Sequence, residues 1–109
     1  MDKLEELKNR IKKFNTDRDW DQFHSPDSLA KSVAIEAGEL LECFQWNNEY
    51  DLESLTDEIA DVYVYLLDLC NKIGVDLVEI TEKKMDKNEL KYPVDKAKGN
   101  SKKYTQFKK

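Results

Sequence analysis

Glycine and proline together supply only five of the 109 residues, and three of them, Pro26, Gly74 and Pro93, fall where a helix would begin or end. Such a chain lacks the turn residues that an all-β fold requires, and this favours an all-α fold. The apolar pattern agrees. Leu4, Leu7, Ile11 and Phe14 recur at helical spacing after Asp2, a fitting N-cap with Glu5 three residues on. This predicts a first helix from Asp2 to about Asn15, with Lys8, Arg10, Lys12 and Lys13 on its other side. Residues 16–24 are irregular, yet they carry Trp20 and Phe23, which a solvated loop would not need.

Ser25-Pro26 predicts the start of a second helix, the serine as cap and the proline at the first position, where its missing N–H costs nothing. It should run to about Trp46, with 47–51 as the connection. A third helix is expected to begin near Leu52 to Thr56 and run to Ile73, with Gly74 after it; a fourth follows Asp76 to about Tyr92, stopped by Pro93. The expected architecture is a four-helix bundle in one domain over residues 1–93, followed by a basic tail, 94–109. Val62, Val64, Leu66, Leu67 and Leu69 cover nearly the whole girdle of the third helix. A helix apolar on all sides wants protein on all sides, so a homo-oligomer is expected.

Charged residues make up 38% and apolar residues 39%, too apolar for a disordered chain. No apolar run approaches a membrane span, and Met1 to Glu6 does not read as a signal peptide, so a cytosolic protein is expected. Cys43 and Cys70 form no CxxC and read as small buried apolar residues. The net charge of −5 hides a division: residues 94–109 carry +5 and residues 1–93 carry −10. Between Lys31 and Lys72 there are ten acids and no lysine or arginine. That stretch repels nucleic acid and calls for a cation.

Four of those acids form two pairs, Glu36 with Glu39 and Glu58 with Asp61, each three residues apart and so on one helix face. A solvated acidic face usually places Lys or Arg four residues on. Here those positions hold Leu40, Cys43, Val62 and Tyr65. The acids therefore share a face with core residues and should line the interior or a cleft. Four carboxylates so placed must either take up protons or gather around a cation. Oxygen ligands suit Mg2+, with Mn2+ as a substitute, and Mg2+ completes its shell with water and phosphate oxygens. A di-iron bundle would need Glu-x-x-His on two helices, but the single histidine, His24, lies outside all four.

Glu36-Ala37-Gly38-Glu39 followed by Glu58-Ile59-Ala60-Asp61 resembles the ExxE…ExxD pattern of the all-α MazG-like nucleoside triphosphate pyrophosphohydrolases. The stretches 18–24, 38–46 and 84–88, Tyr92-Pro93 and Lys103-Tyr104 are similar to the dCTP pyrophosphatase branch, so the resemblance covers about residues 4–104. It implies cleavage between the α and β phosphates, with Glu36, Glu39, Glu58 and Asp61 as Mg2+ ligands, one of them also handling the attacking water. It also implies that Trp20 and Trp46 sandwich the base, that Tyr65 reaches sugar or base, and that Lys84, Asn88 and Tyr92 face phosphates or sugar. Lys72 is a weaker phosphate candidate. The alternative for Trp46 is ordinary core packing, and for Lys84 a solvated surface. Assembly as a dimer or tetramer is implied as well. The sequence departs from the branch at Ile11, where the animal enzymes carry a histidine, which leaves room for a wider range of deoxynucleotides.

The expected activity is thus Mg2+-dependent hydrolysis of dNTPs, dCTP-like ones first. Two readings compete with it. One is a non-catalytic helical module whose acidic groove receives a basic partner; the other is a broad hydrolase of modified nucleotides.

Overall fold

Each long helix begins where a short polar side chain can hold an otherwise unpaired backbone N–H. The computed structural model describes residues 2–99. Asp2 accepts from the Glu5 amide at 2.8 Å and opens α1 (Lys3–Asp17). Ser25 and Ser28 form a reciprocal capping box at the start of α2 (Pro26–Glu42), each side chain bonding the other's amide. Asp51 caps α3 (Leu52–Ile73) through the Ser54 amide at 3.0 Å. Asp76 does the same for α4 (Leu77–Lys91) through the Glu79 amide at 2.9 Å. These are the starts that the sequence predicts, and the described residues contain no strand.

The helix ends differ more. Gly74 stops α3 in the left-handed region at φ 78°, donating to Cys70 O, as expected. The second helix stops at Glu42, four residues before the predicted end near Trp46. There the amides of Cys43, Phe44 and Gln45 bond three residues back, which tightens the chain out of the α-helix. Phe44 then packs edge-on against Tyr50, with centroids 5.5 Å apart, and folds the connection onto itself. After Pro93 the chain makes one further turn, α5 (Val94–Ala97), where a tail without regular structure was expected. The all-α architecture therefore has five α-helices among the described residues instead of four. The tail residues Lys102, Lys103, Tyr104, Phe107, Lys108 and Lys109 lie outside the described residues.

The first helix ends in a turn that decides where Trp20 goes. Asp19 adopts φ 55°, the left-handed conformation usually left to glycine and tolerated by Asp. The Asp19 amide bonds Thr16 O at 3.1 Å and the Trp20 amide bonds Asn15 O at 3.0 Å. This is a Schellman motif, and its usual apolar contact is present: the Trp20 ring meets Phe14 edge-on at 5.5 Å. A short 3-10 turn, Asp21–Phe23, then leads to His24 and the next cap.

The chain divides after Val75 into two compact units, the first holding α1 to α3 and the second α4 and α5. In the first unit α3 packs mainly on α2 and, less extensively, on α1. Its core is small: Ile11, Leu29, Leu67 and Cys70 are the buried apolar residues, with Leu29 and Leu67 fully enclosed. Much of the apolar surface remains outside. Ile35 (62%) and Leu41 (72%) on α2 and Leu52 (65%) and Ile59 (50%) on α3 are exposed, whereas the girdle expected on α3 is half-buried at Val62, Val64, Leu66 and Leu69 and buried at Leu67.

Candidate active site

The packing of α2 on α3 brings the two acid pairs together. Glu36, Glu58 and Asp61 each have a carboxylate oxygen within 4.8 Å of the others. Glu36 and Glu58 are half-buried, and each has one oxygen, Oε2, shut off from solvent without a hydrogen-bond partner among the described residues. Burial, then the adjacent Glu39 carboxyl, then the charges of Asp61 and Glu58 push the Glu36 carboxyl up to about 7. Burial first and Glu39 second also raise Glu58. Glu39, the fourth member, is exposed and is felt by both. Buried acceptors that lack donors, within 4.8 Å of other carboxylates, fit a hard cation better than any arrangement of neutral groups.

A cavity of about 400 Å³ opens beside this cluster, between α1 and α3. Asp61 and, one turn further along α3, Tyr65 line it next to the acids. Leu7, Ile11, Phe14 and Val64 give it apolar walls, and Trp20 stands at its side through the Schellman turn. Burial and the carboxylates around it raise the Tyr65 phenol, which keeps it a hydrogen-bond donor at any ordinary pH. The polar floor is a buried pair, Asn15 Nδ2 donating to Asp68 Oδ1 at 2.9 Å, with His24 near by.

The structure thus gathers Glu36, Glu39, Glu58, Asp61, Tyr65 and Trp20 in one region of the first unit. It does not bring Trp46 into this cavity. That ring is 87% exposed in the connection between α2 and α3. Lys84 and Asn88 lie on α4 and Tyr92 caps its end, in the second unit. Lys72 and Lys12 line a second cavity of about 270 Å³, which shares Asn15, His24 and Asp68 with the first. Sequence reasoning passed over Asn15 and Asp68. A signal existed for the second, an acid amid Leu66, Leu67, Leu69 and Cys70; for Asn15 there was only its position one turn after Ile11.

Known proteins resemble the chain in sequence and in fold. Residues 31–107 match the MazG-like family. The chain is 36% identical over 112 residues to dCTP pyrophosphatase 1 of Mus musculus, an alignment that covers 94% of this chain and 66% of that protein. It is 35% identical over 114 residues to dCTP pyrophosphatase 1 of Homo sapiens, covering 95% and 67%. The chain therefore spans just under two thirds of the length of the mouse relative. A crystal structure of a pyrophosphatase from Archaeoglobus fulgidus superimposes with a TM-score of 0.78 at 40% identity, covering 85% of this chain and 94% of that one.

Proposed function

The chain belongs to the MazG-like family, and from that premise we propose that it is a nucleoside triphosphate pyrophosphohydrolase cleaving between the α and β phosphates of deoxynucleotides, dCTP-like ones first. The observation that carries the reading is the acid cluster: ligand oxygens of Glu36, Glu58 and Asp61 within 4.8 Å, two of these residues with orphaned buried oxygens, beside a cavity of nucleoside size. The similarity to enzymes named for dCTP supports the substrate class.

In this reading Glu36, Glu39, Glu58 and Asp61 hold Mg2+, for which Mn2+ can substitute. The ion supplies charge neutralisation at the phosphates, which is the larger part of catalysis at such centres. Overall, water adds across the α–β anhydride: its oxygen joins one phosphorus, the bridging P–O bond breaks, and pyrophosphate and the monophosphate separate. A carboxylate of the cluster takes the proton that the water gives up. With no cation among them the crowded carboxylates hold Glu36 up to about 7; as a ligand it would be ionised, so the raised value does not single it out as the base. Tyr65, held protonated, donates to the sugar or base. Trp20 supplies a flat face for the base; on the resemblance alone Trp46, which stands outside the cavity of its own chain, is assigned to the other face. On the resemblance alone, Lys84, Asn88 and Tyr92 are assigned to phosphates and sugar.

The catalytic domain is taken as residues 1–93 with a basic tail after it, acting in the cytoplasm. No helix among the described residues is long and apolar enough to cross a membrane. The exposed Ile35, Leu41, Leu52 and Ile59 support a homodimer or homotetramer, which light scattering on a sizing column would measure directly.

The deciding experiment is a panel of canonical NTPs and dNTPs and 5-modified dCTPs, with and without Mg2+, the products resolved by chromatography. Monophosphate and pyrophosphate formed only with Mg2+ are expected. Diphosphate and phosphate would show that a different bond is cut. No turnover at all would return the chain to the reading of a non-catalytic acidic module.

A further inference from the structure

We infer that the Asn15–Asp68 pair at the floor of the cavity reads the edge of the base and selects one that presents an amino group beside a ring-nitrogen acceptor. A base that presents a carbonyl beside a ring N–H is the one refused. This rests on the reading above, in which the cavity receives the nucleoside end of a triphosphate.

The walls of the cavity cannot discriminate bases by themselves. Leu7, Ile11, Phe14 and Val64 offer only apolar contact and Trp20 presents a ring that suits any base, while Arg10 and the Tyr65 phenol add hydrogen-bond donors that the 2-carbonyl of either pyrimidine can meet. The polar groups of the floor are different. Asn15 and Asp68 are 6% and 7% exposed, and the hydrogen bond between them uses one amide hydrogen and one carboxylate oxygen. Asn15 Nδ2 carries a second hydrogen, and the Asp68 carboxylate has further acceptor capacity. With the amide set against the ring nitrogen and the carboxylate against the exocyclic group, the register the inference assigns, the pair is the complement of a 4-aminopyrimidine edge and the wrong pattern for a 4-oxopyrimidine.

Position supports the same assignment. Asp61 belongs to the acid cluster and Asp68 to the cavity floor, both on α3. Seven residues of helix separate them by about 10 Å, the scale of a nucleoside between its phosphates and the far edge of its base. A buried carboxylate is costly unless donors reach it. Burial raises the Asp68 carboxyl; the Asn15 bond and then the nearby His24 work against that rise, and Asp21 adds to it. The amino group of a bound base adds a donor there.

The experiment compares dCTP with dUTP on the wild-type protein and on Asp68→Asn, and measures the binding of dCMP and dUMP to both by calorimetry. The wild type should favour the amino base by about tenfold or more, the usual consequence of mispairing a buried polar group. In Asp68→Asn the new amide can donate to a carbonyl, so the ratio should collapse or invert, with the change in KM and in monophosphate affinity. Asn15→Ala, which leaves the carboxylate but removes the ring-nitrogen donor, should narrow the same gap and serves if Asp68→Asn does not fold. Equal losses for both bases would mean that the pair only pins α1 to α3, and the inference would be overturned. Equal binding of dCMP and dUMP to the wild type would overturn it too, even with hydrolysis intact. If the wild type hydrolyses nothing but still prefers dCMP and loses that preference in the variants, the catalytic reading falls and the base-reading pair stands.

Discussion

Glu36 on α2 and Glu58 on α3 place carboxylate oxygens within 4.8 Å of each other, and each also encloses an oxygen that no donor among the described residues reaches. Two groups that would repel as anions are thus held together by the helix packing around them. Arrangements of this kind cost stability in exchange for a binding site. The expected result of Glu36→Gln is therefore a protein with a higher melting temperature at pH 8 in EDTA and with its Mg2+ affinity lost. The amide removes a charge and can donate to the remaining acids. A lower melting temperature in EDTA would show that the cluster is not a source of strain.

The same cluster sets a pH dependence for the cation-free protein. The Glu36 carboxyl titrates near 7 in the fold against an ordinary value of 4.5, so the folded state holds a proton through that interval that the unfolded chain releases. Its stabilising share is fully present below pH 4.5 and disappears as the pH rises through about 7. Glu58, also raised, acts in the same direction. Urea unfolding in EDTA should show a midpoint that falls between pH 5 and pH 8, and saturating Mg2+ should flatten or reverse the slope. A midpoint that rises over that range in EDTA would contradict the electrostatics described here.

Asp61 touches both the cluster and the cavity, so its removal should cost turnover more than folding. Asp61→Asn and Glu39→Gln are each expected to lower kcat by on the order of 10²-fold or more, the scale found when a charge-stabilising group is taken from a preorganised site. Both residues are exposed, so the circular dichroism spectrum should not change. Near-normal turnover in either variant would remove it from the ligand set.

The two tryptophans separate packing from recognition. Trp20 closes the Schellman turn against Phe14, so Trp20→Ala should lower the melting temperature as well as raise KM. Trp46 is 87% exposed within the chain, and Trp46→Ala should leave the melting temperature of a dilute, dissociated sample unchanged. If Trp46 stacks on the base, KM for dCTP should rise by an amount equivalent to roughly 1–3 kcal/mol. An unchanged KM would leave Trp20 as the single aromatic face.

What lay open in the sequence was whatever depends on neighbours a few residues apart. Asp2, Ser25, Asp76 and Gly74 act through bonds to residues three or four positions away, so the ends they mark are legible from spacing alone. The acid pairs were legible for the same reason, since i and i+3 share a helix face and the apolar residues at i+4 say which face it is. The end of α2 was less so. The bonds three residues back at Cys43 to Gln45 compete closely with continued helix, and a contact such as Phe44 on Tyr50 tips the balance. Tertiary structure alone decided that α2 and α3 face each other acid to acid, that Trp20 stands beside the cavity and Trp46 does not, and that Asn15 meets Asp68. That last bond joins residues 53 positions apart. No local rule sees it, because a hydrogen bond between two helices exists only once their apolar faces have packed and shut out the water that would otherwise satisfy both partners.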